Sequence, residues 1–175
     1  MELRGWLEEN ASLVVNRWHA EIEVRWGSQE TEEDSFLYSL LHHLVTLLPA
    51  CLGNRRGAAE ELWEQGTHLY GSYAVRRGLS AGEVVEELQI LRGTVLRLLF
   101  AEPPAGSTGL PVPGREILAL NGVLDLGVAR ASVAYVDDLF FAHLQGSGVP
   151  EGTTPEVEAE LRRQLEAQRQ ELESG

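Results

Sequence analysis

The chain has 175 residues, 43% of them hydrophobic, with a formal net charge of −13 and a single cysteine. That length suits one domain with a sizeable core, and the acidic balance sets the bulk field against nucleic acid and anionic lipid. Cys51 alone excludes an intramolecular disulfide and fits a reducing compartment, so a cytoplasmic protein is expected.

All of the basic residues are arginine. Met1-Glu2-Leu3-Arg4 runs straight into charged amphipathic sequence, unlike a secretory leader. No uninterrupted apolar run reaches the ~20 residues of a membrane helix, so no membrane partner is expected.

Leu3, Leu7, Val14, Trp18, Ile22 and Trp26 step at helical spacing and predict a first helix over residues 3–26. Trp6, Trp18 and Trp26 read as core or interface anchors, and Gly27-Ser28-Gln29-Glu30 breaks the pattern. A second helix is expected over 32–52, opened by Thr31 and Asp34 at capping-box spacing. Leu37, Leu40, Leu41, Leu44, Leu47 and Leu48 give it a wide apolar face, and Pro49 ends or kinks it before Gly53-Asn54. A third helix over 57–77 carries Leu62, Gly66, Leu69 and Tyr73 on one face. Gly66 and Gly71 inside it cost ~1 kcal/mol each against Ala, which predicts a neighbouring backbone close by.

Residues 76–84 read as an α-α corner. Gly78 suits the left-handed position past a helix end, with Arg76 and Arg77 set against the last carbonyls. Ser80 and Glu83 form a capping box, and Leu79 and Val84 flank it as a hydrophobic staple. The fourth helix, 81–101, has Val84, Leu88, Leu91, Val95, Leu98 and Leu99 as its stripe. Residues 102–114, with four prolines and three glycines, are expected to be an irregular connector.

Helix five, 115–145, carries only Asp125 and Arg130 as charges between Glu116 and Asp137, so it belongs inside a bundle or against a second subunit. Gly122, Gly127, Ala129, Ala131 and Ala134 would permit close helix approach. Residues 146–153 form a glycine-rich flexible joint, after which Thr154 caps a helix with Pro155 at its first position. There Leu161, Leu165, Gln168 and Leu172 make a short coiled-coil seam, too brief to hold a helix alone. This reads as a dimer or signalling helix cut where it leads to a further domain. The expected fold is thus all-α: a helical domain over 1–145, the joint, and a linker helix over 154–175.

Two segments carry a resemblance. Thr67-His68-Leu69-Tyr70-Gly71-Ser72-Tyr73-Ala74-Val75-Arg76-Arg77-Gly78-Leu79-Ser80 leads into Glu83-Val84-Val85-Glu86-Glu87-Leu88-Gln89-Ile90-Leu91-Arg92. Leu120-Asn121-Gly122-Val123-Leu124-Asp125 precedes Ala131-Ser132-Val133-Ala134-Tyr135-Val136. Together with Arg17-Trp18, over residues 3–145, they resemble the N-terminal domain of the RsbT co-antagonist RsbRD, which also fronts bacterial sensor histidine kinases. The resemblance implies a sensory or regulatory domain, in a plain or globin-like five-helix bundle, with no fixed cofactor. Its output partner would be a histidine kinase or a stressosome-type anti-sigma regulator. A kinase is favoured because a heptad-like exit helix is a usual entrance to a kinase dimerisation module, and a homodimer is expected.

No catalytic or metal-binding set is evident. His42 and His43 are adjacent, so they point about 100° apart and cannot grip one metal as an i, i+4 pair would. Both read as solvated or partner-facing. His68, near Tyr70 and Tyr73, is the residue that could hold haem iron in a globin-like alternative. His19 and His143 have no partner by spacing, and a helical metal-dependent enzyme would need three converging ligands. No histidine precedes Glu or Asp as a kinase phosphoacceptor does, and no glycine-rich ATP motif is present, so this chain is not expected to be an enzyme. Asp137-Asp138 reads as a polar patch and Cys51 as a buried inert thiol.

Overall fold

A computed structural model describes residues 2–27, 32–53, 56–101, 112–150 and 152–174. It is all-helical, with six helices and no strand among the described residues: α1 Leu3–Trp26, α2 Glu32–Cys51, α3 Arg56–Arg76, α4 Ala81–Ala101, α5 Gly114–Leu144 and α6 Pro155–Ser174. Thr31 and residues 102–111 lie outside the described residues, as does the Asp34 side chain, so the expected Thr31/Asp34 box and most of the connector do too.

Each apolar stripe buries the residues its spacing selects. Leu3, Leu7, Val14, Trp18 and Ile22 of α1 join Leu40, Leu44 and Leu48 of α2 and Val84, Leu91 and Val95 of α4 in one continuous core. Trp18 is fully buried, while Trp6 and Trp26 are partly buried against the same core. The first amide of α1 is capped from outside its own helix: Leu3 N donates to Glu116 Oε2 of α5 at 2.7 Å. Pro49 neither ends α2 nor stands outside it; the helix runs on to Cys51. Pro49 has no N–H to give the Val45 carbonyl, and the helix stops two residues later.

The central helix is α3, not α5. It packs against α2, α5 and α6. Eleven of its 21 residues are buried, against eight of 31 in α5. Glycine allows this crowding. A Cβ on Gly71 would stand 2.1 Å from the Ala131 carbonyl oxygen of α5, so the two backbones meet there. A Cβ on Gly127 would stand 2.7 Å from the Trp63 ring, whose Nε1–H donates to Val123 O at 2.7 Å. Gly66 faces side chains, Leu44 and Gln168, and not the backbone expected. Gly122 faces open space and Ala129 is exposed, so neither takes part in close approach within the chain.

One side of α5 packs on α3 and α4. Along the other, Leu118, Val133, Val136, Phe140, Phe141 and Leu144 are each more than half exposed. By length and composition α5 could cross a bilayer, with a third of its apolar window buried here. No uninterrupted apolar run of about 20 residues is present, as expected; α5 passes only as a window that tolerates an occasional charge.

The joint after α5 has three glycines with positive φ, Gly146 (66°), Gly148 (71°) and Gly152 (78°). It is tied back to the corner by Gly152 N, which donates to Arg76 O at 2.8 Å. Thr154 Oγ1 then accepts from Val157 N at 3.4 Å at the start of α6.

Candidate functional site

The corner between α3 and α4 folds as its residues require. Gly78 takes φ 74°, Gly78 N donates to Val75 O and Leu79 N to Ala74 O, each at 3.1 Å, closing the end of α3. Ser80 N donates to Glu83 Oε2 at 2.6 Å, and Glu83 N returns a bond to Ser80 Oγ at 3.3 Å, so the capping box forms in both directions. Backbone and side-chain bonds from Ser80, with a further one from Trp26, hold the Glu83 carboxyl below its ordinary pKa. The staple residues Leu79 and Val84 are both buried. Tyr135 of α5 clamps the corner from the other side, its hydroxyl donating to Leu79 O at 2.6 Å.

Behind the corner lies a buried charge cluster. Arg77 Nη1 and Nη2 donate to Glu87 Oε2 and Oε1 at 2.7 and 2.8 Å, a bidentate pair joining α3 to α4. Tyr70 donates its hydroxyl to the same Oε2. Trp18 stacks on Tyr70 with ring centroids 6.0 Å apart and donates Nε1–H to Glu87 O at 2.8 Å. Glu87 has no exposed surface, and a charge so buried is tolerable only when paired and hydrogen-bonded. Burial works against the Arg77 charge, yet the bonds and charge of Glu87 outweigh it and hold the guanidinium pKa above normal. Burial, and then Glu87, push the Tyr70 hydroxyl well above its ordinary value.

A cavity of about 190 Å³ borders the cluster, lined by Ile22, Trp26, Tyr73, Arg77 and Glu83 among others. Both Glu87 oxygens are spent on Arg77 and Tyr70, so the cluster fixes geometry and presents no base or nucleophile to that space.

Neither Glu87 nor the role of Arg77 follows from the reading of helix ends, which set both arginines against carbonyls. Glu87 has a detectable signal all the same. It falls on the buried face of α4 with Val84, Leu88 and Leu91, where an acid must find a cation.

A second buried polar contact joins α2 to α6. His43 is only 2% exposed, so the solvated one of its two expected settings does not hold, and its Nε2 shares a hydrogen bond of 3.1 Å with Gln168 Oε1. Burial lowers its pKa from 6.5 to about 4, overriding the Gln168 bond, and the charge of Arg169 works in the same direction. His42 is exposed.

Leu161, Leu165 and Gln168 are buried and Leu172 partly so, facing α2 and α3 of their own chain. Arg169 reinforces the seat by donating to Ser39 O at 2.8 Å, and the Arg162 guanidinium lies 5.8 Å from the centre of the Phe36 ring. The seam residues are therefore occupied within the chain. α6 has 20 residues but one narrow apolar seam, and the groove between α2 and α3 gives that seam apolar cover.

His68 is exposed, on two open grooves of mixed lining that share Leu69 and Gln164, with Glu64 and Arg130 on one side and Asp138, Glu160 and Leu161 on the other. Both grooves are open to solvent, and neither encloses the ring. His19 stands edge-on to the Tyr38 ring at 5.4 Å, and His143 is exposed near the end of α5. Among the described residues no three His, Cys, Asp or Glu side chains gather as a metal site would require. Cys51 is buried, its thiol pushed up to about 12 by burial and then by Glu60. Comparison with known protein families, with curated proteins and with solved structures finds no match to this chain.

Proposed function

We propose that the chain is the N-terminal sensory or regulatory domain of a bacterial signal-transduction protein, with a sensor histidine kinase as the parent. In this reading α1–α5 form a five-helix bundle, plain or globin-like, that acts as a cytoplasmic homodimer. A signal or partner prefers one of two packings of α5, and the equilibrium shifts by that preference. The change reaches α6 through residues 146–153, and α6 hands it to an output domain. The domain itself makes and breaks no bonds.

The observation that carries the reading is the seating of α6. Its apolar residues on the seat are few, Val157, Leu161, Leu165 and Leu172, and at the centre of the seat lies a buried polar contact, His43 with Gln168. A helix held by so small a surface can be released or reseated at modest cost, which suits an output element. The likeness of the corner and α5 sequences to the RsbRD N-terminal domain supports the same reading. A stressosome-type co-antagonist is the alternative parent, differing only in the output domain. The haem alternative at His68 draws support from no contact around that ring.

The test is a chimera in which residues 2–174 replace the input domain of a histidine kinase of known output. Leu165→Glu places a charge in the α6 seat and should unseat the helix. Autophosphorylation should then change at least about fivefold, equivalent to ~1 kcal/mol of coupling. Equal activity of the two chimeras, with helical content unchanged, contradicts the reading.

A further inference from the structure

We propose that the exposed face of α5 is the homodimer surface, two copies pairing antiparallel about a two-fold axis level with Ala131. The proposal rests on the homodimer part of the sensory reading and assigns it a surface and a register.

The face is apolar and free. Leu118 (74% exposed), Val133 (52%), Val136 (55%), Phe140 (57%) and Leu144 (63%) recur at helical spacing along one line, with Gly122 and Ala129 between them. Such a stripe runs about 39 Å at 1.5 Å per residue. Exposed patches of this size on soluble proteins mark interaction sites. The charges beside it are exposed but paired within the chain: Arg92 of α4 holds Asp125, and Glu64 of α3 pairs with Arg130 at 2.5 Å.

The spacing of large and small residues points to a second copy as the occupant. Gly122 and Phe140 lie equally far on either side of Ala131, as do Leu118 and Leu144, and Ala129 and Val133. An antiparallel pair centred there sets each Phe140 ring over the partner's glycine, where open space stands in front of the missing Cβ. The same register places Ala129 against Val133 and the two terminal leucines against each other. A two-fold interface must be self-complementary, and this stripe is.

An amphiphilic bilayer surface is the competing occupant. Of the two arginines of α5, Arg115 is exposed in the first turn and Arg130 is paired with Glu64, while the net charge of −13 opposes approach to anionic headgroups. The α6 seam, which might have served for pairing, is already seated on its own chain.

Sedimentation equilibrium of the whole chain tests the proposal. Wild type should be dimeric, and Phe140→Glu should raise the dimer dissociation constant by about a hundredfold or more, because a charge would enter an apolar contact. Two acidic bodies repel, so raising salt from about 0.05 to 0.5 M should tighten the dimer. Register is read by oxidation: the Ala129→Cys/Val133→Cys double variant should form covalent dimers, and Ala129→Cys alone should not.

A dimer that ignores Phe140→Glu would overturn the surface while leaving the homodimer intact. A monomer throughout would overturn both, the sensory reading then standing or falling on the chimera alone. Flotation of the wild type with phosphatidylcholine–phosphatidylserine vesicles, lost in Phe140→Glu, would assign the face to membrane and overturn the proposal.

Discussion

Arg77 and Glu87 meet across the α3–α4 corner in two parallel hydrogen bonds of 2.7 and 2.8 Å, and Glu87 has no contact with solvent. This pair fixes the angle between the central helix and its neighbour. Removing one partner strands the other, whereas removing both does not. Arg77→Met should therefore cost about 3–5 kcal/mol, lowering Tm by roughly 10 °C. Arg77→Met combined with Glu87→Gln should recover most of that loss. Equal destabilisation by the single and double variants in thermal melts would contradict the account.

The α3–α5 crossing depends on the absence of one methyl group. A Cβ at residue 71 would sit inside the van der Waals radius of Ala131 O, and since that atom is backbone the helices must separate. Gly71→Ala should destabilise by about 3 kcal/mol, the upper end for overpacking. Gly5→Ala, in α1 with nothing near its Cβ position, should instead stabilise by about 0.5–1 kcal/mol through helix propensity. Urea titration of the two variants decides between crowding and a general intolerance of substitution.

His43 gives stability a pH dependence of known sign. Its folded pKa is about 4, below the ordinary 6.5, so the unfolded chain takes up the proton first as pH falls. The contribution is complete above about pH 6.5 and drains away as pH falls toward 4, by roughly 3 kcal/mol. His43→Gln keeps a hydrogen-bonding group opposite Gln168 and cannot titrate. Between pH 7 and 5 it should lose less stability than wild type, in denaturant melts at each pH. Parallel slopes would mean that folding does not lower the pKa of the ring.

The helices were legible because each obeys local rules. Heptad-like stripes, the Gly78 turn, the Ser80–Glu83 box and Pro155 after Thr154 place the ends of α1, α3, α4 and α6 within a residue of where they lie. What local rules do not contain is which face meets which. The seam of α6 has the same spacing whether it pairs with a second copy or, as here, with α2 and α3. His43 looks like its exposed neighbour His42 until α6 covers it. Similarly, α5 is apolar enough for the middle of the molecule, yet α3 takes that place because Gly66 and Gly71 let neighbours come closer to it. The Arg77–Glu87 pair was half visible: Glu87 stands on a buried stripe, but its partner lies ten residues back, around a corner.

The central claim is that the seating of α6 is what the domain passes on. Spin labels at Thr46 on α2 and Glu166 on α6, both exposed, report that seating as a distance in the chimeric kinase. The account predicts one short, narrow distance in the wild type, and a longer one in Leu165→Glu whose population tracks the change in autophosphorylation. A change in kinase output with the distance distribution unaltered would contradict it.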